Sequence, residues 1–155
     1  MADENTDDNW LHGSIIACPH CQHQLYRVGR SPFADGWHLY CDRCANRVEV
    51  SYYDPVVDEV RAEISIQTEQ SAVAALVAQL TAIEARLKPC SCGGHYRYDA
   101  PRRCHVCLSD VIIGEPDVDL WPGYFGIIER EPTPEEVVLF EQFASKHIRS
   151  GDIWK

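Results

Sequence analysis

Eight cysteines set in four close pairs constrain this chain more than any other feature of its sequence. The pairs are Cys18 with Cys21, Cys41 with Cys44, Cys90 with Cys92, and Cys104 with Cys107. Two chemistries use cysteine at this density, disulfide frameworks and metal chelation. Disulfides belong to secreted chains. The opening Met1-Ala2-Asp3-Glu4-Asn5-Thr6-Asp7-Asp8 is acidic and lacks the basic and apolar regions of an export signal. No run of about 18 apolar residues is present to span a membrane. The expectation is a cytoplasmic protein whose reduced thiols bind a soft or borderline metal.

The first two pairs read Cys18-Pro19-His20-Cys21 and Cys41-Asp42-Arg43-Cys44, with nineteen residues between them. Two residues between cysteines let both sulfurs of a tight turn reach one ion, and two such turns complete a tetrahedron at about 2.3 Å per bond. Site 1 is therefore expected to be Cys18, Cys21, Cys41 and Cys44. The last two pairs, Cys90-Ser91-Cys92 and Cys104-His105-Val106-Cys107, lie eleven residues apart. Site 2 is expected to be Cys90, Cys92, Cys104 and Cys107, with the turn made by Gly93-Gly94 and Pro101. His95 or His105 in place of a cysteine stays open, as does iron in place of zinc. A thioredoxin-type dithiol would need a βαβ pattern that the chain lacks.

Both blocks resemble zinc ribbons, in which two cysteine knuckles on β-hairpins clamp one zinc ion. The resemblance covers residues 18–53 and 88–114 and implies two Zn2+ in closed shells. Ribbon knuckles often carry glycine just after the second cysteine; here those places hold Gln22, Ala45, Gly93 and Leu108.

Between and beyond the cysteines, an α+β chain is expected: two small β-hairpin ribbons joined by a helix, then a strand/helix unit. Residues 24–28 and 36–40 flank a loop ending in Asp35-Gly36. Residues 47–53 alternate with period two, so Val48, Val50 and Tyr52 should share a face. Gly and Pro are absent from 56 to 88, where Val73, Leu76, Val77, Leu80, Ile83 and Leu87 form an apolar helical stripe. Val57, Val60 and Ile64 belong either to a separate helix or to an upstream continuation of the same one. Residues 111–113 predict a strand, 115–119 an acidic turn, and 120–128 either a core strand or a docking patch. Thr133, Pro134 and Glu136 mark a helix start with a capping box, and Val137, Phe140, Phe143, Ala144 and Ile148 its buried side. The expected organisation is a mobile acidic stretch over 1–12, ribbons at 13–54 and 89–114, a helical connector at 55–88 and an acidic unit at 115–155.

Charge bears on the partner. The formal net charge is −10, and two zinc ions held by eight thiolates take it to about −14. Such a chain repels phosphate backbones. Residues 110–141 hold nine acids and one base, Arg130. Within this region Glu115, Asp117, Asp119, Trp121, Glu129 and Glu131 are the candidate surface for a basic protein partner. Sequence strings of the common hydrolases, nucleotide-binding loops and zinc deaminases are absent, and a four-cysteine shell leaves no position for water. The expectation is a non-catalytic zinc protein that binds other proteins, of which an immunity protein masking a basic, nucleic-acid-targeting enzyme is one form. The alternative is a transcription- or translation-associated ribbon contacting nucleic acid through Arg27, Arg30, Arg97, Arg102 and Arg103.

Overall fold

The computed structural model describes residues 14–29, 35–65, 71–113, 118–123, 130–147 and 152–155. Antiparallel strands and three helices make it α+β, as expected. The chain divides into two compact units that are not consecutive in sequence. One draws on Met1–Ala34 and Pro101–Lys146, the other on Asp35–Ala100 and His147–Lys155. This grouping cuts across the ribbon boundaries expected at 13–54 and 89–114, because each of those blocks contributes strands or turns to both units.

The first unit holds a three-stranded sheet of β1 (Ser14–Ala17), β2 (Gln24–Gly29) and β6 (Val118–Trp121), with β2 central. The register Ala17↔Gln24 leaves residues 18–23 as the hairpin turn, which contains the first cysteine pair. On its other edge β2 pairs with β6 from Tyr26↔Trp121 to Gly29↔Val118. Val118 and Asp119 thus lie in a strand rather than in the expected acidic turn. Residues 111–113 form no strand: Val111 is buried, Ile112 is 94% exposed, and the nearest pairing is the single bridge Arg103↔Asp110. One bridge is too little pairing to sustain a ladder.

Helix α3 (Pro134–His147) begins as its sequence predicts. The Glu136 backbone N–H donates to Thr133 Oγ1 at 3.2 Å, and the Thr133 N–H donates to Glu136 Oε1 at 2.9 Å. Glu136 is buried because Arg130 binds both of its oxygens at 2.8 and 2.6 Å and also donates to the Tyr26 hydroxyl on β2. Val137, expected inside, is 40% exposed, while Phe140 is half-buried. The side chains of Phe143, Ala144 and Ile148 lie outside the described residues.

The second unit pairs β3 (Gly36–Cys41) with β4 (Arg47–Ser51) and with the two-residue β5 (Tyr96–Arg97), in the order β4-β3-β5. Val48 and Val50 are buried on one face of β4, as the alternation predicts. Of the two helical readings for 56–88, the separate helix holds: α1 (Pro55–Ser65) and α2 (Ala72–Arg86) are distinct elements. The Asp54 carboxylate accepts the Val56 N–H at 2.9 Å, and the Ser71 hydroxyl oxygen accepts the Ala74 N–H at 3.2 Å, capping the two helices. Leu80, Ile83 and Leu87 join Leu39, Val48, Val50, Val57, Val60 and Ile153 in the core. The stripe is buried only over its C-terminal half, with Val73 73% and Leu76 41% exposed. At about 1.5 Å per residue, the eleven residues of α1 are too short to cover all fifteen of α2.

Candidate metal centres

Each cysteine pair sits where a local fold aims its sulfurs. In the β1–β2 turn, the Cys18 N–H donates to the His23 carbonyl at 2.8 Å and the Gln22 N–H to the Cys18 carbonyl at 2.9 Å. The Cys104 turn repeats this geometry, with Cys104 N–H to Ser109 O at 3.0 Å and Leu108 N–H to Cys104 O at 3.0 Å. Gln22 and Leu108, placed where ribbons favour glycine, have φ of 69° and 61°. They adopt the left-handed conformation without being glycine, so the backbone demand survives the change of residue. Gly93 meets the same demand at φ 94° in the Cys90–Cys92 turn. Every one of the eight sulfurs accepts the backbone N–H two residues further on: His20, His23, Arg43, Asn46, Cys92, Gly94, Val106 and Ser109 are the donors. Backbone dipoles thereby disperse charge on each ligand atom.

The structure combines these turns differently from the sequence reading. Cys18 and Cys21 meet Cys104 and Cys107, and Cys41 and Cys44 meet Cys90 and Cys92. All eight expected residues lie in quartets, but the membership expected for sites 1 and 2 is corrected: the first and fourth pairs share a site, and so do the second and third. The pairing is nested along the chain, an outer quartet enclosing an inner one. Its cause is sheet topology, because the β1–β2 hairpin joins β6 in one unit while the β3–β4 hairpin joins β5 in the other.

The distances suit one ion in each quartet. Across the outer quartet Cys18 Sγ approaches Cys107 Sγ at 3.6 Å and Cys21 Sγ approaches Cys104 Sγ at 3.7 Å. Across the inner one Cys41 meets Cys92 at 3.4 Å and Cys44 meets Cys90 at 3.6 Å. A zinc tetrahedron with bonds of about 2.3 Å has edges of about 3.8 Å, whereas a disulfide would bring sulfurs to about 2.0 Å. All ligand atoms of each quartet lie within 4.8 Å of one another. The four sulfurs therefore fit a tetrahedral ion, and His95 and His105 belong to neither quartet.

The thiols themselves call for a cation. Despite burial, Cys90 is held down to about 6 by the Cys92 N–H, the Asn46 side-chain amide at 3.3 Å and the Tyr96 hydroxyl. Its neighbours Cys41 and Cys44 are pushed up by burial. In the outer quartet the Ser109 hydroxyl and N–H lower Cys107 to about 6, while burial raises Cys104 to about 12. Each quartet thus sets one thiol held low beside a buried one pushed up, Cys90 beside Cys44 and Cys107 beside Cys104, and a bound cation would displace protons from such thiols.

Sequence reasoning missed the residues around the sulfurs. Asp42 is one: its N–H donates to the His95 carbonyl at 2.9 Å, and its carboxylate accepts the His95 N–H and Arg97 Nε, each at 3.0 Å. That clamp carries the Cys90–Cys92 arm onto β3. Gly94 is another, since a Cβ there would lie 2.7 Å from Cys41 Sγ and 2.8 Å from Asp42 Oδ1. Asn46 and Ser109 share a signal that could have found them, a polar residue two places after a second cysteine.

The proposed partner surface is only partly described, since Glu115, Asp117 and Glu129 lie outside the described residues. Asp119 is corrected: it is 2% exposed on β6, 4.0 Å from Arg102 Nη2. Trp121 is half-buried against Tyr26 and Val28, and Glu131 is exposed. Among the described residues no helix is long and apolar enough to cross a membrane.

Geometry therefore defines an α+β protein with two four-cysteine sites able to hold metal ions. Residues 14–113 match the family described as Domain of unknown function (DUF8255), and the chain belongs to that family. The match identifies no zinc-ribbon family. Neither the curated proteins nor the solved structures contain a match.

Proposed function

We propose that this is a non-catalytic protein whose two structural zinc ions hold a surface for binding a basic protein. The observation that carries the reading is the use of all eight cysteines in two four-sulfur quartets. A shell of four thiolates has no open position for water or substrate, so the metal stabilises the fold and does no chemistry of its own. Bound zinc raises the negative charge to about −14, and Asp58, Glu59 and Glu63 on α1 with Glu131, Glu135 and Glu141 near and on α3 are exposed to display it. The narrower form, an immunity-type inhibitor masking a basic enzyme, rests on charge alone.

The nucleic-acid alternative is weakened by where three of its five arginines go. Arg97 pairs with Asp42 at 3.0 Å, Arg103 with Asp110 at 2.9 Å, and Arg102 faces Asp119. Elemental analysis of purified protein should return two zinc per chain, and cobalt substitution should give the spectrum of tetrahedral four-thiolate ions. Crosslinked capture from native extract should recover a basic protein in fixed stoichiometry, its association weakening as salt rises. Tight binding to labelled RNA or DNA with a steep salt dependence would replace this reading with the alternative.

A further inference from the structure

We infer that the two sites load in order, the inner quartet first and the outer last, so that the outer quartet is a metal-dependent clasp on its own unit. This inference rests on the two-zinc reading above. Three observations carry it.

The first is chain closure. The inner site joins Cys44 to Cys90 across 46 positions, whereas the outer joins Cys21 to Cys104 across 83. Closure entropy alone then favours the inner site about two- to threefold.

The second is what holds the ligands in place before a metal arrives. The two arms of the inner quartet are joined by the pairings Tyr40↔Arg97 and Cys41↔Tyr96 and by the three hydrogen bonds of Asp42. Glu84 on α2 adds a bond from the Tyr98 N–H at 2.7 Å. None of these bonds involves sulfur.

The third is the composition of the cores. In the unit that carries the inner quartet, nine described apolar residues form a buried cluster that does not include the buried ligands Cys41 and Cys90. Among the described residues of the other unit, Cys18 and Cys104 are themselves members of the buried cluster with Leu25, Val111 and Leu120, beside a second cluster of Tyr26 and Val28. The segment that brings Cys104 and Cys107, residues 101–113, contains no helix and no named strand. Among the described residues, its attachments include its sulfurs, the packing of Val111 and Ile113, and Arg102 facing Asp119. Without metal, the outer ligands must be gathered each time an ion binds. Its apparent affinity falls by the fraction of chains that have them gathered.

The test is graded chelation of the full-length zinc-loaded protein, followed by native mass spectrometry and peptide-resolved amide exchange. One zinc should leave at a chelator concentration at least about threefold below that removing the second. Protection over 24–29 and 118–121 should go with it, while 36–41, 47–51 and 72–86 keep theirs until the second ion leaves. Cys21→Ser should retain a single zinc at the affinity of the more tightly held wild-type ion; chelation of the wild type decides the matter if that variant does not fold. Release of both ions in one step, or loss of protection over 36–51 first, overturns the ordered clasp and leaves the two-zinc reading intact. A count of no zinc before any chelator is added overturns both.

Discussion

In the unit built on β3, β4, α1 and α2, nine described aliphatic side chains form a buried cluster apart from the buried ligands Cys41 and Cys90; in the unit built on β1, β2 and β6, the buried ligands Cys18 and Cys104 are part of the cluster with Leu25, Val111 and Leu120. The contrast separates two uses of one ligand set. A metal beside a sufficient core adds to a fold that already has a hydrophobic reason to form. A metal inside a small core replaces missing burial, which short segments need because their own apolar area is marginal.

The comparison can be broken or sharpened by four substitutions. Cys104→Ser removes a fully buried ligand from the weaker core and has the largest expected effect. One zinc should be lost and exchange protection over 14–29 should collapse, a loss approaching the roughly 10 kcal/mol that structural zinc contributes in model peptides. Survival of that protection would abolish the distinction between the units. Ile83→Ala opens a cavity in the apolar core and should cost about 2–5 kcal/mol in chemical denaturation, with the zinc count unchanged at two. Gly94→Ala drives a methyl group against Cys41 Sγ and the Asp42 carboxylate. Competition with a chelator should show the inner ion about 10- to 100-fold weaker and the outer one unaltered. Thr133→Ala deletes the α3 cap and should lower stability by about 1 kcal/mol, read as faster amide exchange at the start of that helix alone.

Much of the fold is legible in the sequence because its signals are local. The alternation over 47–51, the Thr133/Glu136 capping box and the cysteine turns each depend on residues within a few positions of one another. The pairing of the turns depends on strands that meet from far apart, β5 on β3 and β6 on β2. Neighbouring elements in sequence are usually neighbours in space, and that tendency makes consecutive ribbons the natural reading of the spacing. The chain departs from it by returning to an earlier sheet. Burial at Asp119 was hidden for a related reason: an aspartate among acids reads as surface until the arginine facing it, Arg102, is brought up by that same return. Val73 and Leu76 fail the other way, since periodicity reports which face of a helix is apolar and not how far its covering extends.

Nesting also governs how this chain can be taken apart. A single cut anywhere in 55–88 gives two pieces, each with four cysteines and neither with a complete shell, although the spacing of each half looks sufficient. Excising 35–100 would carry off one whole quartet but leave behind Ile153 and Trp154, which close that unit's core from beyond the second flank. Exchange of modules between relatives by a single crossover would therefore strand unmatched ligands, and two simultaneous junctions are needed to move even one site.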